Sequence, residues 1–70
     1  MGFDKETLAA NLRMHRAKLD ISQGELADRA GLNVVTVCKY EDGTMTPGAD
    51  KLAALCGALH CSPNELLGWK

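Results

Sequence analysis

The segment Ser22-Gln-Gly-Glu-Leu-Ala-Asp-Arg-Ala-Gly-Leu-Asn-Val-Val-Thr-Val-Cys-Lys-Tyr-Glu-Asp-Gly43 constrains this chain more than any other. It predicts two short helices joined by a tight corner. Ser22 and Asn33 are residue types that cap helix N-termini, and apolar residues at helical spacing follow each. Gly31 stands at the corner, where a residue without Cβ adopts positive φ cheaply. Ala27, four residues before it, is small enough to let the second helix approach the first.

The rest of the chain predicts three more helices and no strand, repeat, low-complexity tract or linker. The first helix covers about 5–18, with Leu8, Leu12 and His15 on one stripe and Asp20 in a left-handed or turn conformation after it. The second covers about 22–30. Ser22 and Glu25 fit a capping box, in which each side chain satisfies the other's orphan backbone donor. The third covers about 33–41, with Val37 and Tyr40 facing the core and Leu32 packing from the corner. Val34, Val35, Cys38 and Lys39 face partly or wholly outward, and Asp42-Gly43 closes the helix. The loop Thr44-Met-Thr-Pro-Gly48 leads to a fourth helix at about 49–60, whose stripe is Leu52, Leu55, Cys56 and Leu59. Cys61 is expected to plug the core behind it. Ser62-Pro-Asn-Glu65 is a second capping box with proline at the first helical position. It opens a short fifth helix that buries Leu66 and Leu67 and ends at Gly68. Trp69 and Lys70 follow as a short tail.

Seventy residues are read as a single domain, 1–70, with its core in about 8–67. A chain of that size buries about 60% of its unfolded surface, so its stability is modest. No run of about 18 apolar residues is present, and the N-terminus lacks the basic-then-apolar order of a secretory signal. A cytoplasmic location is expected. The three cysteines, Cys38, Cys56 and Cys61, follow no metal spacing, and His60 beside Cys61 does not complete a set. They read as small apolar side chains in a reducing compartment. No catalytic constellation, metal site, cofactor motif or small-molecule site is evident. The formal net charge of −1 argues against strong non-specific binding to nucleic acid. Arg13, His15, Arg16 and Lys18 nevertheless form a local basic patch.

Residues 22–41 therefore have the form of a helix-turn-helix, a unit that sets its second helix in the major groove of DNA. The chain as a whole resembles the phage-repressor and Cro-like helix-turn-helix family, also called the Xre family. The resemblance rests on Arg16, Ser22-Gln23, Glu25-Leu26-Ala27, Ala30-Gly31-Leu32, Val37, Tyr40-Glu41-Asp42-Gly43, Pro47, Leu52 to Leu59, and Ser62-Pro-Asn-Glu-Leu-Leu67. It spans about Leu8 to Leu67. It implies an all-α, five-helix, lambda-repressor-like fold, with the second helix across the DNA backbone and the third in the major groove. Val34, Val35, Thr36 and Lys39 match the groove-facing positions. Lys39 can donate to guanine, Thr36 can donate or accept, and the two valines can pack on thymine methyls. Two adjacent exposed valines also suit a protein interface.

Arg16, Ser22, Gln23, Asn33 and Thr44 are the expected phosphate contacts. Gln23 could equally be an exposed first-turn residue, and Asn33 is first of all an N-cap. Arg16 and Glu41 match a pair joining the first helix to the end of the third, and a purely structural ion pair is compatible with a phosphate role. Two departures lower the charge of the docking face: Asp42 stands where the family usually has Asn, and the following loop carries no Lys or Arg. The expected function is sequence-specific binding of double-stranded DNA by a transcriptional regulator, a repressor of phage, plasmid or mobile-element type. The expected active form is a homodimer, formed in solution or only on a palindromic operator, pairing through the fifth helix with Trp69 and Phe3. The competing reading is a protein-interaction module on the same scaffold, antitoxin-like or anti-repressor-like.

Overall fold

A computed structural model describes residues 4–69; Met1, Gly2, Phe3 and Lys70 lie outside the described residues. Five helices follow one another: α1 (Lys5–Leu19), α2 (Gln23–Ala30), α3 (Val34–Glu41), α4 (Ala49–Leu59) and α5 (Pro63–Leu67). No strand occurs among the described residues.

Local chemistry fixes the boundaries. Asp4 caps α1 by accepting from the Glu6 N–H at 3.0 Å. Ser22, Asn33 and Ser62 cap α2, α3 and α5 in the same way. Asp20, expected to leave the helical conformation, does so at φ 56. Gly31 turns the corner at φ 69, and the Leu32 N–H beyond it reaches back to the Ala27 carbonyl at 2.8 Å. That wrap satisfies carbonyls that α2 would otherwise leave open.

Two local expectations are corrected. The Ser22–Glu25 capping box is only half formed. Ser22 accepts from the Glu25 N–H, but the Glu25 carboxylate turns away to pair with Arg29 one turn on, at 2.8 Å. An i,i+4 ion pair here competes with the reach back to the cap. The second box, Ser62–Glu65, has both halves. In addition, α4 stops at Leu59, because His60 takes a left-handed conformation at φ 56 and ends the helix.

The core draws on every helix. Leu8 and Leu12 of α1, Leu26 of α2, Val37 of α3, Leu55 of α4 and Leu66 of α5 are almost wholly removed from solvent. Each such side chain contributes about 1.5–3 kcal/mol. His15, expected to be only partly buried, is buried with them, and so are Ala9, Ile21 and Ala58. In the contact pattern α2 packs on α3 and α4, and α1 packs on α3 and α5. The short α5 is too brief to persist alone. Asn11 of α1 secures it by donating to the Glu65 and Leu66 carbonyls at 3.2 and 2.9 Å. Trp69 is not a loose tail residue, since its N–H bonds to the Asn64 carbonyl at 2.9 Å.

The same α1–α5 contact makes two glycines sharply unequal. Gly68 has φ 75, and a Cβ there would lie 2.8 Å from the stiff Thr7 Cγ2, whereas a Cβ on helical Gly57 meets nothing within 4 Å. Gly68→Ala should lower stability by about 1–2 kcal/mol in urea unfolding, and Gly57→Ala should raise it by about 0.4–1 kcal/mol. Equal responses of the two variants would contradict this packing.

Candidate nucleic-acid interface

α3 is two-sided. Asn33 accepts from the Val35 N–H at 2.8 Å and starts the helix. From there the period of 3.6 sends Val37, Tyr40 and Glu41 inward, where 1%, 4% and 3% of their surfaces remain exposed. Val34 and Val35 stand in solvent at 45% and 57% exposure. Lys39 and Cys38 are exposed and Thr36 is half-buried, so of the four side chains expected to face a groove, Val34, Val35 and Lys39 lie on the outer side and Thr36 lies at its edge.

The inner side ends in a buried charge. The Glu41 carboxylate accepts from Arg16 twice, from Nε at 2.7 Å and from Nη2 at 3.0 Å. Gln23 donates to the same carboxylate from Nε2 at 3.0 Å. Arg16 also donates from Nη1 to the Ile21 carbonyl at 2.9 Å, and Arg13 donates to the Glu41 backbone carbonyl. Glu41 at the end of α3 thus gathers α1 and the first residue of α2, and Arg16 ties in the α1–α2 connection. The forked geometry is the one in which Arg binds carboxylate most strongly. It raises the Arg16 pKa above its ordinary value, through the hydrogen bond to Glu41 first, while burial pulls the other way.

The expected phosphate contacts divide into two groups. Arg16 and Gln23 are brought together on Glu41. Arg16 spends three of its N–H groups on protein acceptors and keeps 23% of its side chain exposed. A guanidinium has five donors, so an external acceptor can still be served. Gln23 is half-buried rather than an exposed first-turn residue, with one amide N–H committed inward. Ser22, Asn33 and Thr44 are exposed and are not drawn into the Glu41 cluster. Ser22 and Asn33 use their oxygens as caps, which leaves the Ser22 O–H and the Asn33 amide as donors. The Thr44 N–H is taken by the Lys39 carbonyl at 3.0 Å and the Asp42 carboxylate at 2.8 Å.

Asp42 is fully exposed, and its carboxyl is held below the usual carboxylate range by hydrogen bonds from Thr44, side chain first and N–H second. It is a lasting negative charge one residue beyond α3. Two residues escaped the sequence expectations. Arg13 belongs to the basic patch, and its spacing of three from Arg16, which puts it on the same side of α1, is the signal the sequence offers for it. Asn11 is tied to α5 more than fifty residues away, and no local pattern marks it.

Residues 11–70 match the Cro/C1-type helix-turn-helix DNA-binding domain family. Repressor protein C2 of Salmonella phage P22 is 34% identical over 62 residues, covering 89% of this chain but 29% of that repressor. The crystal structure of the P22 c2 repressor in complex with synthetic operator 9T superposes with a TM-score of 0.84 at 33% identity, covering 90% of this chain and 96% of that one. The restriction-modification controller protein C.AhdI from Aeromonas hydrophila gives a TM-score of 0.86 at 30% identity, with coverages of 90% and 96%.

Loss of the Glu41 charge should be costly, because Arg16 would remain half-buried without its counter-ion. Glu41→Gln should destabilise the protein by about 3 kcal/mol or more in thermal or urea unfolding. Wild-type stability in that variant would remove the pair from the account.

Proposed function

Because the chain belongs to the Cro/C1-type helix-turn-helix DNA-binding domain family, we propose that it binds double-stranded operator DNA as a sequence-specific transcriptional regulator of the repressor type. The observation that carries this reading is α3: an eight-residue helix anchored by its inner side, with Val34, Val35 and Lys39 exposed on its outer side. A helix of that diameter fits the major groove. Lys39 donates to base acceptors, Thr36 donates or accepts at its edge, and Val34 and Val35 pack on thymine methyls. Ser22, Gln23, Asn33, Thr44 and the spare donors of Arg16 contact phosphates and fix the register. The open N–H groups at the start of α2 favour an anion there.

A single copy offers few phosphate contacts and no excess of positive charge. Tight binding therefore calls for two copies on half-sites roughly 34 Å apart, about one helical turn. Trp69, 44% exposed beside α5, is the pairing surface proposed for the described residues; Phe3, expected to join it, lies outside them. No described helix is long and apolar enough to cross a membrane, and a cytoplasmic location goes with the proposed role. Nothing in that role asks for catalysis, a metal or a cofactor.

The direct test is binding to a labelled fragment of the DNA upstream of the chain's own gene at two salt concentrations. Saturable, sequence-selective binding that weakens with salt is expected, and no binding at low salt would overturn the reading. Two variants probe the contacts. Lys39→Ala should weaken operator binding by about 1–3 kcal/mol and relax the preference at one base position. Asp42→Asn should tighten binding to all sequences alike, because it removes a carboxylate from beside the phosphates. An unchanged affinity in Asp42→Asn would place that residue away from the backbone.

A further inference from the structure

At the corner between α4 and α5, the chain brings two cysteines together. His60 turns left-handed at φ 56, and the Cys61 N–H donates back to the Cys56 carbonyl at 3.1 Å. This bond between residues five apart defines a Schellman turn, whose usual companion is an apolar contact between the two residues it joins. Here both partners are cysteines. Cys56 is buried, Cys61 is half-buried against the core, and each thiol alters the acidity of the other. A disulfide needs Cα atoms roughly 4.4–6.8 Å apart with the side chains directed at each other. The backbone bond holds the two residues close, and Cys61 packs against the core cluster to which Cys56 belongs.

We propose that Cys56 and Cys61 form an intramolecular disulfide-forming site, closed by a small-molecule disulfide without rearrangement of the helices. Cys61, the more accessible thiol, gives its proton to water. Its sulfur attacks one sulfur of the small disulfide, and the displaced thiolate takes up a proton. The Cys56 thiol then loses its proton, its sulfur attacks Cys61, and the second small thiol leaves. Two electrons pass from the cysteine pair to the small disulfide, which becomes two thiols.

The environment sets the tempo of closure. Burial pushes the Cys61 thiol up to about 11 and raises Cys56 as well, while Lys18 acts on Cys61 in the opposite sense. Thiolate is therefore scarce at neutral pH, and closure is slow there and faster as pH rises. The same high thiol pKa values make poor leaving groups, so the closed bond resists reduction by monothiols. Cys38 is exposed on α3 and stands apart from the pair.

The test is incubation of the wild-type chain with oxidised glutathione at pH 7 and pH 9. Remaining thiols are then alkylated in denaturant and the peptides are mapped by mass spectrometry. The expected result is a peptide linking Cys56 to Cys61, lighter by two hydrogens, forming about a hundredfold faster at pH 9. The closed form should melt at least about 5 °C higher, because the unfolded chain is constrained. In Cys61→Ser no such link can form, and Cys56 should remain alkylatable or carry glutathione. The proposal is overturned if both thiols stay alkylatable at pH 9, if glutathione remains attached to either in the wild type, if the only links run between molecules, or if the closed form melts lower.

Discussion

The arrangement depends on one buried carboxylate. Glu41 is the last residue of α3 and the only acidic side chain among the buried described residues. It is held by a forked pair of bonds from Arg16 and a third from Gln23, and Arg13 bonds its backbone carbonyl. A charge placed in low dielectric is tolerable only when its hydrogen bonds are complete. Completion here demands that α1, the start of α2 and the end of α3 keep one mutual geometry. Val37 and Tyr40 supply apolar burial, which is adaptable; the ion cluster supplies direction. Together they leave α3 no freedom to roll its outer face inward.

That fixed roll is what makes the exposed side of α3 meaningful. Val34 and Val35 meet water at the first turn of a helix whose other face is fully satisfied. They stand in solvent rather than in the core. The electrostatic side of recognition is thin by comparison. Arg16 gives two N–H groups to Glu41 and one to Ile21, Arg13 gives one to the Glu41 carbonyl, and Asp42 adds a negative charge next to the helix. In the proposed role, a surface of this kind would discriminate by shape and apolar contact more than by attraction to phosphate. The proposed pairing of two copies would convert such discrimination into affinity.

Much of this was legible in the chain itself, where short-range chemistry decides. Ser22, Asn33 and Ser62 announce helix starts, and Gly31, Gly43 and Gly68 take the positive φ their positions imply. The inner residues Val37 and Tyr40 follow from helical period. Legibility failed where two local rules competed or where the partner was distant. Glu25 had both a cap and Arg29 within reach, and the structure chose Arg29. His60 looked like a helix residue because histidine is a less common left-handed terminator than glycine. Gln23 was expected to meet a phosphate, yet part of its amide serves Glu41, eighteen residues along the chain. Arg13 and Asn11 bond to backbone carbonyls of other helices, and a carbonyl carries no side-chain signature.

In the proposed role, Glu41 holds α3 with its outer face turned towards DNA. Titration of isotope-labelled protein with duplex operator, followed amide by amide in NMR, tests it most directly. The largest shifts should fall on Val34, Val35, Thr36 and Lys39, with smaller ones at Ser22, Gln23 and Asn33, while Leu55 and Leu66 in the core stay still. Shifts centred on α5 or on the outer side of α1, with α3 unperturbed, would contradict it.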